Sequence, residues 1–301
     1  MDAITLNNNS KVPTRGFGTW NLAKDSAKQA IVDAIKTGYR HIDCASVYGN
    51  EKEVGEGIYQ AIEDGLVKRE ELFITSKLWN TDHAPDHVHE ACKKTLQDLR
   101  LDYLDLYLVH WAVACEHGDD LEPLDKNGLA RFAPVSLQET WQAMEELISK
   151  KLVKSIGVAN YSAPLLIDLL SYAKTKPVMN QIEVHPYHCQ DELIKFCESQ
   201  NMAVTAYSPL SSSGNPALKD KTITDIADRH NKTAAQVALR WAYQRGTPAI
   251  PKATALERIK ENFSITDFEL TDDEMSKINS LDRGMITCNA NEWWGFPYFQ
   301  V

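Results

Sequence analysis

Four residues in the N-terminal part of the chain carry side chains suited to moving a proton: Asp43, Tyr48, Lys77 and His110. A phenol titrates near 10 and donates poorly to a weakly basic carbonyl oxygen, but an ammonium beside it favours the phenolate and lowers that value. Lys77 could play that part for Tyr48, with Asp43 holding the lysine charged and in place. His110 could donate or accept a hydrogen bond where a substrate oxygen would rest. Tyr48 would then be a general acid for reduction and a general base for oxidation. Any one of these residues alone is more often structural than catalytic, so their joint use requires a fold that gathers them.

The chain alternates short apolar runs with amphipathic helices, the rhythm of a mostly parallel sheet covered by helices. A hairpin from Ile4 to Leu6 and Lys11 to Thr14 precedes eight candidate strands. These are Arg15 to Gly18, His41 to Cys44, Leu72 to Ser76, Leu104 to Val109, Ser155 to Val158, Val178 to Gln181, Ala203 to Tyr207 and Pro248 to Ile250. Helices are expected from Ala23 to Thr37, Glu51 to Asp64, Asp86 to Leu99, Leu137 to Lys150, Ala163 to Ala173 and Asp191 to Ser199. A two-part helical region spans Lys221 to Gln244, with Thr233 and Gln236 spaced as a capping box. Helical stretches follow at Glu257 to Asn262 and Asp272 to Ser280. The pattern predicts an α/β chain folded as a (β/α)8 TIM barrel, in one domain from 1 to 301, with an N-terminal β-hairpin and an aromatic C-terminal tail. Reactive groups in such a barrel stand at the C-terminal ends of strands. Asp43 and Tyr48 end or follow the second strand, Lys77 ends the third and His110 ends the fourth. Lys252 to Arg258 is a basic patch following the last strand, where the start of a short extra helix suits an anion.

Several runs together resemble the aldo-keto reductase family, of the aldose and aldehyde reductase kind: Gly16-Phe-Gly-Thr-Trp20, Gly38-Tyr-Arg-His-Ile-Asp-Cys-Ala45, Val47-Tyr-Gly-Asn50, Ile74-Thr-Ser-Lys77 and Leu101-Asp-Tyr-Leu-Asp-Leu-Tyr-Leu-Val-His110. Ile156-Gly-Val-Ala-Asn160, Gln181-Ile-Glu-Val-His-Pro186 and Ala249-Ile-Pro-Lys252 continue the likeness over nearly the whole chain. By that resemblance Asp43, Tyr48, Lys77 and His110 match a catalytic tetrad, and hydride passes directly from the nicotinamide of NADPH to the carbonyl carbon. The resemblance also assigns cofactor contacts. Asn160 and Gln181 would hold the carboxamide, Tyr207 would stack under the nicotinamide, and Ser208, Leu210 and Ser211 would line the pyrophosphate. Lys252 and Arg258 would meet the 2'-phosphate and adenine, and Glu261 and Asn262 the adenine. Ala159 and Ala253 depart from the family, which usually has hydroxyl residues there, so secondary use of NADH is conceivable. Trp20, Val47, Trp79 and Trp111, together with Trp293 from the tail, match the apolar substrate wall. The tail, Asn289 to Val301, is expected to cover the barrel mouth, with packing on the outer helices or a dimer contact as alternatives.

The 301 residues are 43% hydrophobic, enough for a sizeable core without disulfides or structural metals. A formal charge of -10 disfavours nucleic acid or an anionic membrane as partner. Six cysteines without paired spacing suit free thiols in a reducing compartment, and no secretory signal or membrane-spanning apolar run is evident, so a cytoplasmic location is expected. Two histidine groupings, His83, His87 and His89 on an exposed-looking helix start and His185, His188 and Cys189 on a rim loop, lack a strong metal motif. The Tyr172-x-x-x-Lys176 spacing lies late on an outer helix and is discounted. The expected partner is a small carbonyl substrate, an aldose or an aliphatic or aromatic aldehyde, and a monomer is favoured with a dimer left open. Two competing readings are an aldolase or isomerase using a rim lysine, and a non-catalytic nucleotide-binding or structural barrel.

Overall fold

The computed structural model describes residues 2–212 and 214–299. Met1, Ser213 from the Ser211 to Gly214 stretch, and Gln300 and Val301 from the tail lie outside the described residues. A two-stranded antiparallel hairpin, β1 (Ala3–Thr5) and β2 (Lys11–Pro13), opens the chain. Seven strands then pair in sequence order, all parallel: β3 (Gly16–Gly18), β4 (His41–Asp43), β5 (Phe73–Leu78), β6 (Leu106–Val109), β7 (Ile156–Ala159), β8 (Met179–Glu183) and β9 (Ala203–Tyr207). Every residue of β5 is buried, as expected for a strand with packing on both faces.

The expected eighth strand, Pro248 to Ile250, is reduced to the isolated residue Ala249, which bridges Arg15 on one edge and Ala206 on the other. Pro248 and Pro251 flank it, and a proline has no N–H to give a ladder. The available groups are all used: Ala249 N donates to the Thr14 carbonyl, Ile250 N to Ala206, and Gly16 N to Ala249. Glycine at 18 is required by the same seam, because a Cβ there would lie 2.6 Å from the Ile250 carbonyl oxygen. The sheet thus closes into a barrel by a single residue.

Each strand is returned by an outer helix: α1 (Lys24–Thr37), α2 (Glu51–Glu63), α3 (Pro85–Leu99), α4 (Leu137–Ser149), α5 (Ala163–Tyr172), α6 (Asp191–Ser199), and the pair α7 (Lys221–His230) and α8 (Ala234–Gln244). In α1 the buried positions Ala27, Ala30, Ile31, Ala34 and Ile35 recur at three- and four-residue steps, forming one apolar stripe against the sheet. Thr233 and Gln236 do form the capping box at the start of α8. Two further helices, α9 (Leu256–Phe263) and α10 (Asp272–Asn279), follow the seam. The tail contains a helix that its lack of periodicity did not suggest, α11 (Ala290–Trp294), with the Asn289 side chain accepting from Asn291 N.

The hairpin stops the N-terminal end of the barrel. Leu6 and Val12 pack with Phe73, Leu106, Leu108 and Met179 inside it, while Asn7 and Asn8 donate to the Pro177 carbonyl and the Ser155 hydroxyl. Among the described residues no helix is long and apolar enough to cross a membrane, and all six cysteines are buried and free.

Candidate active site

Neighbouring strand ends set the proton-handling residues side by side. In the β4 and β5 register Asp43 lies opposite Thr75, two positions before Lys77, and Lys77 pairs with Leu108, two before His110. Tyr48 closes a short 3-10 turn, Ser46–Tyr48, just beyond β4, and Gly49 ends it at φ 67°. Lys77 Nζ lies 2.6 Å from Asp43 Oδ2, 2.9 Å from the Cys44 carbonyl and 3.2 Å from Tyr48 OH. An ammonium has three hydrogens, and all three are committed. Gln181 Nε2 donates to the other Asp43 oxygen at 2.7 Å. Lysine and aspartate are 1% and 2% exposed, so the pair is held out of water.

The charges follow from this geometry. Burial opposes the lysine's charge, yet Asp43 beside it holds Lys77 above its ordinary range. Burial likewise pushes Tyr48 up to about 12, and the Lys77 ammonium offsets only part of that rise. The expected lowering below 10 is therefore corrected: desolvation of a phenolate outweighs the adjacent positive charge. A phenol so placed keeps its proton at neutral pH, while Lys77 donates to its oxygen and leaves the hydroxyl hydrogen for another acceptor. His110 is buried, and burial together with Lys77 holds its imidazole well below 6.5, so the ring is neutral. Among the described residues its Nδ1 has no hydrogen-bond partner, and its ring meets Tyr48 edge-on at 6.0 Å.

Next along the rim stands Asn160, one residue past β7 and in the left-handed region at φ 63°. Its amide nitrogen donates to the His110 carbonyl, and its Oδ1 accepts from the Tyr207 hydroxyl at 2.8 Å. Ser208 and Ser211, in the loop after β9, also have positive φ, 47° and 54°. The Ser211 hydroxyl is used inside that loop, donating to the Leu210 carbonyl and accepting from Ala217 N, so it shapes the loop. Leu210 packs on the core. Across the seam Lys252 and Arg258 are exposed, and neither has a carboxylate partner among the described residues. Arg258 sits in the first turn of α9, whose N-cap Ala255 supplies no side-chain bond. Uncapped amides and two unpaired cations together suit an anion. Glu261 accepts from the Thr233 hydroxyl, and Asn262 is buried. Ala159 and Ala253 are both buried apolar positions.

Above the tetrad lies an aromatic wall. Trp79 and Trp111 are buried, with Val47 packed against them, and Trp79 Nε1 donates to the Leu121 carbonyl, drawing the long loop after β6 over the mouth. Trp20 stays 41% exposed at the rim. The tail crosses this mouth. Trp294, 1% exposed, meets Trp111 at 5.0 Å, whereas Trp293, the residue expected from sequence, is 37% exposed and touches Trp111 edge-on at 5.9 Å. Tyr298 OH accepts from Ala112 N and donates to the Asn160 carbonyl. Of the three placements open for the tail, the structure shows the cover over the mouth. Which of the tail's aromatics, Trp294 and Tyr298 among them, face the mouth could not be read from sequence, because their partners lie far away and the tail has no repeat to phase them. Two cavities of about 540 and 310 Å³ flank the hairpin at the other end and contain none of these groups.

The histidines are dispersed among structural roles. His83 is buried, contrary to its exposed-looking context, because the turn Asn80–Asp82 tucks it under α4 where Thr140 binds its carbonyl. His87 stacks on His117 at 3.7 Å. His185 Nε2 bonds Glu183, whose carboxylate also receives Thr287 N and Cys288 N and so moors the start of the tail. Among the described residues no group of three or more such side chains is arranged to hold a metal ion.

Comparison with known proteins agrees with this fold. The Aldo/keto reductase family model matches residues 15–283. Aldo-keto reductase family 1 member A1-A of Danio rerio is 47% identical, covering 93% of this chain and 89% of its own. The NADP-dependent D-sorbitol-6-phosphate dehydrogenase of Malus domestica is 42% identical over 99% of this chain and all of its own. The solved aldose reductase of Schistosoma japonicum superposes with a TM-score of 0.94 at 42% identity, covering 98% of this chain and 97% of that one. A closed parallel barrel, a buried Asp43–Lys77 pair bonded to Tyr48 at its rim and this degree of likeness over almost every residue place the chain in the aldo/keto reductase family of oxidoreductases.

Proposed function

We propose that this protein, acting as one domain, reduces aldehydes to alcohols with NADPH, using Tyr48 as proton donor. The observation that carries the proposal is the full commitment of Lys77 to Asp43, the Cys44 carbonyl and Tyr48. That geometry fixes the phenol oxygen and frees its hydrogen for a carbonyl oxygen lying between Tyr48 and the neutral His110. Bound NADPH would supply the hydride. As negative charge grows on the phenol oxygen during proton transfer, the ammonium already in contact with it stabilises that charge without rearrangement. Trp79 and Trp111 exclude water from the transfer.

Asn160, Gln181 and Tyr207 would hold the nicotinamide end, Ser208 to Ser211 would shape the pyrophosphate cradle, and Lys252 with Arg258 would receive the 2'-phosphate. Glu261 and Asn262 would border the adenine. Buried alanines at 159 and 253 supply no hydroxyl to these contacts, which supports weak secondary use of NADH. Hydrophobic aldehydes, aromatic ones included, suit the wall of Trp20, Val47, Trp79, Trp111 and Trp293. A sugar phosphate suits it less, because Arg131 of the covering loop is paired to Glu116. An aldolase would need Lys77 as a free amine, whereas Asp43 keeps it charged; a purely structural barrel would not need a buried ion pair aimed at a phenol. With its aromatics spent on the mouth, the tail has little left for a dimer contact, in keeping with a monomer. The test is aldehyde-dependent oxidation of NADPH by purified protein across aromatic, aliphatic and aldose substrates, repeated with NADH. No turnover of any carbonyl would reject the proposal.

A further inference from the structure

We infer that Tyr298 is a positioning residue that ties closure of the C-terminal tail to seating of the nicotinamide end of the cofactor, acting through Asn160. The inference rests on the assignment of Asn160 to the nicotinamide proposed above. Asn160 is buried, and each of its four polar groups is held by a different part of the rim. Its N–H donates to the Gln181 carbonyl on β8. Its side-chain nitrogen donates to the His110 carbonyl beyond β6, and its side-chain oxygen accepts from Tyr207 on β9. Its carbonyl accepts from Tyr298 of the tail at 2.9 Å. The left-handed backbone at φ 63° is one that persists where neighbours over-determine it, and the tail supplies one of those determinants.

The same phenol accepts from Ala112 N at 3.1 Å, two residues past His110. One side chain therefore staples the ends of β6 and β7, the strands that present His110 and Asn160. Burial keeps the Tyr298 phenol above its ordinary range, so it stays protonated and able to make both bonds. It reaches them only with the tail down on the mouth. Asn291 arranges this, its Oδ1 accepting from Tyr298 N at 2.6 Å and Phe299 N at 3.1 Å. Ala130 N donates to the Trp294 carbonyl, so the covering loop closes with the tail. A ligand that prefers Asn160 in its held geometry must, by reciprocity, also favour the closed tail. Substrate wall and nicotinamide seat then form as one event.

Tyr298→Phe isolates the staple, since the ring that packs on Trp111 and Phe299 is kept and only the hydroxyl is lost. The probes are NADP+ and 2'-phospho-ADP-ribose, which lacks nicotinamide but retains the phosphate for Lys252 and Arg258. Fluorescence or calorimetric titration is expected to show NADP+ weakened about 3- to 10-fold in the variant, the worth of one neutral hydrogen bond, with the fragment unchanged within about twofold. Amide exchange at Ala112 and Phe299 should slow on adding NADP+ to the parent and respond less in the variant. Asn291→Ala, which loosens the tail but keeps the phenol, should reproduce the selective loss in part. Equal effects on both nucleotides, or NADP+ affinity unaltered by Tyr298→Phe, would overturn the inference while leaving the proposed function standing. A parent protein that bound neither nucleotide would remove both.

Discussion

Replacing Lys77 with Met separates the role of this lysine in the chemistry from its role in holding the fold. The deletion takes the ammonium from a carboxylate 2.6 Å away that is 2% exposed, leaving Asp43 with the Gln181 amide as its remaining side-chain donor. Breaking a buried pair by removing one partner costs about 3–5 kcal/mol, because the surviving charge is stranded. Asp43→Asn in the same chain removes that charge and preserves an oxygen for Gln181, so the double variant should regain at least ~2 kcal/mol over Lys77→Met alone. It should regain no activity, since nothing then stabilises charge on Tyr48. Tyr48→Phe is the complement: Lys77 keeps two of its three acceptors, so stability should fall by ~1 kcal/mol or less, while kcat falls by about 10²–10⁴ or more with loss of the acid. Urea unfolding of the parent and these three variants gives the stabilities, and single-turnover reduction of one aromatic aldehyde gives the chemistry. A double variant no more stable than Lys77→Met would refute the stranded-charge account. Turnover of Tyr48→Phe within tenfold of the parent would refute Tyr48 as the donor.

At the cofactor's other end, Lys252→Ala should weaken NADPH about 10- to 150-fold and NADH little, as one charged contact to the phosphate is worth roughly 1.5–3 kcal/mol; Arg258→Ala should weaken both, NADPH more, and equal losses in Lys252→Ala would sink its phosphate role. Deleting the chain from Asn291 onward should reorder aldehyde preferences by more than the modest loss of NADPH affinity that follows from losing Tyr298; an unchanged order with a shifted particle mass would point to an interface instead. Buried Glu51, which accepts from Ser76 and Thr95, has its carboxyl pushed from 4.5 up to about 7 by burial. The folded state therefore binds the extra proton, and the stability this gives is complete below 4.5 and lost as pH rises through 7. Glu51→Gln should gain on the parent across that window, by at most ~3 kcal/mol at pH 8; a constant difference from pH 4.5 to 8 would exclude Glu51 as the titrating group.

Much of this arrangement was legible in the residues themselves, for physical reasons that also mark where legibility stops. Strand ends are set at short range: Lys77 ends an apolar β run and is the last but one residue of β5, so its place on the rim followed from the period of the chain. Helix starts with a self-contained capping box, such as Thr233 with Gln236, were readable for the same reason. The seam was not, because the apolar run at Pro248 to Ile250 looks like a strand until its prolines are weighed against the ladder bonds they cannot make. The protonation of Tyr48 turned on how deeply it is enclosed, a quantity no motif states. Trp293 was preferred to Trp294 because adjacent identical rings cannot be told apart without the turn that faces one inward. Tyr298 could be read as one of the tail's aromatics, but its two hydrogen bonds could not, since the partners are carbonyl and amide groups of distant backbone, which leave no trace in side-chain identity.

The one-residue seam at Ala249 also bears on how the molecule is made. Arg15 and Ala249 bridge across most of the barrel's sequence, so the ring cannot be completed during synthesis until Ala249 has left the ribosome. Before that moment β3 and β9 are bare edges of an open sheet, each able to pair with another chain. The exposed edges carry their own restraint: β3 is three residues long with two glycines, and the last segment to arrive is bracketed by prolines that template no further strand. A nascent chain halted after α8 should therefore associate with itself far more readily than one halted after Lys252, and the difference would measure how much the barrel's resistance to self-association depends on that short seam.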